Sequence, residues 1–171
     1  MLTAERAREL FDYDPDTGVI CWRKSLNPKR IKDGSAILPH KSNMYGRVGV
    51  DGKHYSLHRV AWLLSYGQWP DGLIDHINGN PLDNRLCNLR VVNHTQNRRN
   101  SKRPITNKSG FKGVCFEKKP RRWRAYVYVN RKRIHIGYFD TPEEAHLAYC
   151  AAAATHFGEH FCDGTREHER A

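Results

Sequence analysis

The feature that most constrains this chain is the stretch SKRPITNKS at residues 101–109. It is polar and basic, and Pro104 removes a backbone donor and obstructs any helix passing through it. The residue pattern changes on its far side. The sequence therefore predicts a first domain over residues 1–100, a linker over 101–109, a second domain over 110–162 and a polar tail over 163–171. At 171 residues and 39% hydrophobic content, each side can bury a small core; a single large core with a deep pocket is excluded.

Charge narrows the partner. There are 29 Lys and Arg against 18 Asp and Glu, a formal net charge of +11. Such an excess points to a polyanion. Fourteen of the cations fall between Arg98 and Arg133, where Glu117 is the only acid. The five cysteines are odd in number and form no CxxC pair, which argues against a zinc ribbon or a disulfide framework and for reduced thiols in a cytoplasm. The N-terminus MLTAERARELF lacks the apolar core of a signal peptide, and no stretch is apolar enough to span a membrane. Nothing in the sequence specifies an oligomeric state.

Local signals divide the chain into elements. Residues 3–11 read as a helix capped by Thr3, with Ala7, Leu10 and Phe11 on one face. DPDTG at 14–18 is a turn, VICW at 19–22 a strand, and 23–43 a loop. Asp51-Gly52 joins residues 47–50 and 53–57 as a hairpin. A helix over 57–67 ends at Gly67, with Val60, Ala61, Leu64 and Trp62 inward. LIDHI at 73–77 is a strand, NGNP at 78–81 a turn, and 88–92 the returning strand; Asn93 and Gln96 have the form of a capping box. Three strands are expected over 111–116, 123–129 and 133–139. A second capping box, Thr141 with Glu144, opens an alanine-rich helix that runs to about Phe157, with Ala145, Ala148 and Ala152 against the sheet.

The chemistry is concentrated in IDHINGNPLDNRLCNLRVVNHTQNRRN, residues 74–100. Cutting a phosphodiester requires an activated water, a cation against the phosphate charge and help for the departing oxygen. A neutral histidine can take the proton from water, and a divalent metal can supply the rest through oxygen ligands. Asp75, His76 and Asn97 carry those atom types. Taken alone, His76 beside a turn reads as a structural histidine.

The run resembles the HNH family of ββα-metal nucleases, particularly phage and intron-associated members, over about residues 57–100. His76 matches the first motif position, Asn88 the middle one and Asn97 the last. The resemblance implies that His76 is the general base, that Asp75 and Asn97 are metal ligands, and that Asn88 ties the loop so that His76 is oriented. With an amide at Asn97, the set favours Mg²⁺ or Mn²⁺ over Zn²⁺. His94 competes with Asn97 for the last position. Asp83 and Asn84 read as loop-capping residues, and Arg85 as an ion-pair partner or a phosphate contact. His58 can support the site or serve the core. One difficulty is geometric: neighbours on a strand point to opposite faces, so Asp75 and His76 share a site only if the strand twists or ends there.

In WRAYVYV, alternation puts Trp123, Ala125, Val127 and Val129 on one face, and Arg124, Tyr126 and Tyr128 on the other. In RIHIG, Ile134 and Ile136 face the core while Arg133 and His135 face out. One face would pack on the helix; the other presents cations and tyrosines suited to phosphates and groove edges. Residues 110–161, above all GYFDTPEEAHLAY, resemble the Apetala/ethylene-response-factor DNA-binding domain. That family reads the major groove with a three-stranded sheet backed by a helix, which implies Lys112, Tyr126, Tyr128, Arg133 and His135 as DNA contacts; Arg124 is added from strand parity. Cys115 stands where that family usually has arginine, so its DNA sequence preference does not transfer.

The expectation is thus an α+β chain: a ββα-metal nuclease domain, then a three-stranded antiparallel sheet packed on one helix. It would be a divalent-metal-dependent endonuclease cutting duplex DNA to 5′-phosphate and 3′-hydroxyl ends, a free-standing homing-type enzyme of phage kind, acting in a host cytoplasm. The rival readings are a non-catalytic DNA-binding regulator with a decayed HNH part, and an RNA-binding module, disfavoured because the sheet lacks a phenylalanine-rich stacking motif.

Overall fold

The structure is a computed structural model that describes residues 1–38, 45–100, 106–158, 161 and 163. Linker residues 101–105, Cys162 and the tail from 164 lie outside the described residues. Contacts divide the chain into two units, Met1–Asn93 and His94–Ala171.

The first unit opens with helix α1 (Ala4–Leu10), whose first turn is capped by the Thr3 hydroxyl accepting from the Arg6 amide at 3.2 Å. The expected helix stops one residue short. Phe11 is extended and starts β1 (Phe11–Tyr13), which pairs antiparallel with β2 (Ile20–Trp22), Phe11 lying opposite Trp22. Their rings pack 4.9 Å apart, a contact between strands that helical continuation would forfeit. Strands β3 (Arg47–Val50) and β4 (Lys53–Ser56) form the expected hairpin, with Asp51 and Gly52 both at positive φ. Helix α2 (Leu57–Tyr66) ends at left-handed Gly67. Its inward face carries Leu57, His58, Val60, Ala61 and Leu63; Leu64 and Trp62, expected inward, are only half-buried. Leu10, Phe11, Val50, Val60 and Leu63 form the centre of the core. Strand β5 (Leu73–His76) pairs antiparallel with β6 (Leu89–Val92) after a short 3₁₀ turn at Leu86–Asn88.

The second unit begins with helix α3 (His94–Asn100), ahead of the linker at which the sequence divides the chain. The reason lies in its last turn. The Arg99 guanidinium sits 4.6 Å over the Phe157 ring, and the Arg99 carbonyl accepts from Lys112 Nζ at 2.8 Å. Strands β7 (Val114–Glu117), β8 (Arg122–Val129) and β9 (Lys132–Phe139) make an antiparallel sheet in the order β7-β8-β9, backed by α4 (Pro142–Phe157). The Thr141–Glu144 capping box is formed in both directions. The buried stripe of α4 is Ala145, Tyr149, Ala153 and Phe157, so the row runs at every fourth residue; Ala148 and Ala152 lie at its margin. Strand β7 starts after Gly113, later than expected. A Cβ there would meet the Tyr149 ring at 2.1 Å, and its φ is +75°, so only glycine lets the ring seat.

Ile134 corrects the sequence reading. It lies opposite Val127 yet is 39% exposed, because the end of β9 next to the Asn130-Arg131 turn is solvent-exposed on both faces. The register shifts between Ala125 and Tyr126, which leaves Ile136 as the extra residue of a bulge.

Candidate nuclease centre and nucleic-acid interface

His76 ends β5 and is buried. Its Nε2 lies 3.2 Å from Asn84 Oδ1. Its ring stands edge-on to His58 at 5.3 Å, and Tyr45 lies 6.2 Å from it. Burial pulls the His76 imidazole below its ordinary pKa, against the Asn84 hydrogen bond and the charges of Asp75 and Asp83. The shift favours the neutral imidazole. His58, on α2, is pushed down to about 4 by burial, then by His76 and Arg59. The residue is 9% exposed and its Nδ1 is buried with no hydrogen-bond partner among the described residues.

The loop after His76 is braced from within. Asn88 Nδ2 donates to Asn78 Oδ1 at 3.1 Å and to the Asp83 carbonyl at 2.8 Å, while the Asn78 amide donates back to Asn88 Oδ1 at 3.0 Å. Asn78 Nδ2 reaches Asp83 Oδ2 at 2.7 Å. Of the two readings for Arg85, the ion pair is formed: Nε and Nη2 grip Asp83 at 2.8 and 2.6 Å. That grip, with the Asn78 amide, holds the Asp83 carboxyl down at about 2.

Asp75 is buried and accepts from Arg90 Nη2 at 2.9 Å and Nε at 3.1 Å, its partner across the ladder. The ladder is regular through His76, so the opposite-face difficulty stands, eased only by the strand ending at that residue. Asn97 and His94 both lie on α3, in the second unit, so the motif's last position and its first two fall in different units.

For a metal, the donor chemistry suits a hard ion. In the first unit Asp75 offers a buried carboxylate, and Mg²⁺ commonly takes one or two carboxylates, with water and phosphate completing its shell. Among the described residues, no group of three His, Cys, Asp or Glu side chains is placed to hold a metal ion.

In the second unit the open face of the sheet carries Arg124, Tyr126, Tyr128, Arg133 and His135 together. Tyr126 lies opposite His135 and Tyr128 opposite Arg133. The Arg124 and Arg133 guanidinium groups stand 5.7 and 5.8 Å from the Tyr126 ring, and Tyr128 meets that ring edge-on at 5.7 Å. Tyr128 is 56% exposed. Arg124 is more constrained than parity suggests: it is half-buried and paired with Glu117 at 3.2 Å. Lys112 lies outside the sheet, its ammonium on the Arg99 carbonyl.

Three residues escaped the sequence reading. Tyr138, 42% exposed, lies opposite Arg124 and 4.8 Å from His135; the bulge at Ile136 hides it from simple alternation. Asn84 looked like a turn residue, and Tyr45 fell between the expected loop over 23–43 and the hairpin from 47, in no expected element. Neither carries a local signal.

Residues 55–99 match the HNH endonuclease family and residues 109–158 match the AP2 domain. The chain is 40% identical over 77 residues to Protein 3.8 of Escherichia phage T7, a span covering 44% of this chain and 64% of that protein. No solved structure matched.

Proposed function

We propose, for a chain that carries an HNH endonuclease segment followed by an AP2 domain, that it is a divalent-metal-dependent endonuclease acting on duplex DNA. The observation that carries this reading is His76: buried, shifted toward the neutral form and held at the end of β5 beside a loop braced by Asn78, Asp83 and Asn88. A neutral imidazole accepts a proton from water near neutral pH, and a fixed one does so without reorganising. Asn88 fixes the loop, not the reaction. Asp75 and Asn97 would hold the metal, with Arg90 orienting the Asp75 carboxylate from behind. The metal, when bound, supplies charge to offset the crowded phosphate. The products on this reading are 5′-phosphate and 3′-hydroxyl ends.

The AP2 domain holds the enzyme on DNA through Arg124, Tyr126, Tyr128, Arg133 and His135, with Tyr138 added. On this reading the protein is a free-standing, homing-type enzyme working in a host cytoplasm; the phage relative supports its phage kind. None of the described helices is long and apolar enough to cross a membrane.

The test is incubation of supercoiled plasmid with the protein in Mg²⁺, in Mn²⁺ or in chelator. Nicked or linear plasmid with metal alone is expected; identical plasmid in all three sinks the reading. Asp75→Ala and Asn97→Ala should each raise the metal concentration that gives half-maximal cutting. An unchanged metal titration removes that residue from the site.

A further inference from the structure

Asn84 belongs to no expected catalytic set, yet the residue is 7% exposed and its amide oxygen faces His76 Nε2 at 3.2 Å. An amide oxygen only accepts hydrogen bonds. The contact therefore places the imidazole proton on Nε2 and leaves the lone pair on Nδ1. A neutral histidine in the opposite tautomer would present an N–H to the water it must deprotonate. Once Nδ1 takes a proton, the Nε2–H bond to Asn84 becomes charge-assisted and stronger, so the contact favours the proton transfer as well as the starting orientation.

Asn84 is itself held from outside the segment that matches the nuclease family. Its carbonyl accepts from the Tyr13 hydroxyl at 2.8 Å, across 71 residues of sequence. Burial raises the Tyr13 phenol to about 12, so it stays a donor through the working pH range. Gly18, at φ +75°, lies so close that a Cβ would stand 2.5 Å from the Arg85 nitrogen and 2.7 Å from the Asn84 carbonyl carbon. The Leu86 amide donates to the Pro15 carbonyl at 2.9 Å. Strands β1 and β2 and their turn therefore press on the backbone at residues 84–86, while Asn88 and Asp83 brace the same loop from within.

We infer that Asn84 is the positioning residue that sets the tautomer of His76, and that the N-terminal hairpin, through Tyr13 and Gly18, is the splint that holds Asn84 in place. This rests on the nuclease reading above. It adds a part the family segment does not contain: the catalytic unit is incomplete without residues 11–22.

The experiment uses the full-length protein with ¹⁵N-labelled histidine. Long-range proton–nitrogen correlation reports which ring nitrogen of His76 bears the proton, without substrate or metal. Wild type should show the proton on Nε2, and Asn84→Ala a mixture of tautomers. Plasmid cutting by Asn84→Ala should fall about 10–100-fold in kcat, with KM for DNA moving by less than about twofold. Tyr13→Phe removes a single hydroxyl and tests the splint independently of any folding failure in Asn84→Ala. It should lower kcat in the same direction by a smaller factor. A proton on Nδ1 in the wild type, or wild-type kcat in Asn84→Ala, overturns the inference while leaving the nuclease reading intact. Wild-type kcat in Tyr13→Phe overturns the splint. A wild-type protein that cuts nothing in either metal overturns both readings, since Asn84 would then position no base.

Discussion

His76 and His58 are two imidazoles whose rings meet edge-on inside one small core, and burial acts on both. For His76 this favours the neutral imidazole, so His76→Ala should lower cleavage by about 10²–10⁴-fold while duplex affinity stays near wild type. Cleavage by the alanine protein at the wild-type rate would remove His76 from the chemistry. For His58 the consequence is stability. The unfolded chain protonates it near 6.5 and the folded chain only near 4, so the unfolded state binds more protons between those values. Stability should be full above about pH 6.5 and fall toward pH 4, with His58 contributing up to about 3 kcal/mol of that loss. Among the described residues the His76 and Tyr45 rings face it, and the neighbouring Arg59 acts on it by charge. In His58→Gln the fall should shrink to what His76 supplies, a difference that denaturant titrations at several pH values will show.

At the scale of elements, a strand pair and a sheet each depend on one close contact. The β5–β6 pair can carry a rigid loop because Asn78 and Asn88 exchange hydrogen bonds across its neck. The three-stranded sheet can receive α4 because Gly113 leaves room for Tyr149. Gly113→Ala forces either the Tyr149 ring or the backbone to move, at a positive φ that alanine resists. We expect a loss of about 2–4 kcal/mol from the second unit by chemical denaturation. A loss below about 0.5 kcal/mol, the usual size of an inconsequential surface change, would mean the ring is not seated there.

Across the whole molecule, the division at Asn93 changes what a DNA-binding fragment should contain. A fragment His94–Ala171 keeps Arg99 over Phe157 and Lys112 on the Arg99 carbonyl; one starting at Pro104 loses both. The longer fragment should unfold at higher denaturant and bind duplex DNA without cutting it. Each phosphate contact adds about −0.9 to the log–log salt slope, so Arg133→Ala should flatten that slope by up to about one if Arg133 touches phosphate. If the slope holds and sequence discrimination weakens instead, Arg133 reads bases. A folded His94–Ala171 fragment that binds no duplex at low salt would refute the assignment of DNA holding to this unit.

Some of this was written locally. Asp51-Gly52, Gly67 and the Thr141–Glu144 box act over a few residues, so the turn, the helix end and the helix start follow from neighbours in sequence. The first two motif positions were legible for the same reason: His76 and Asn88 lie twelve residues apart on one strand–loop–strand unit. What the sequence did not disclose depends on partners far along the chain. Phe11 became a strand residue by meeting Trp22; Leu63 is buried in the core while Leu64 packs at its margin; Lys112 turned to Arg99 instead of the open sheet. Asn84 shows the limit most clearly. In the sequence it is a turn residue between an aspartate and an arginine. Only folding brings Tyr13 to its carbonyl and His76 to its amide, because a hydrogen bond is decided by where two groups end up and not by which residues lie beside them.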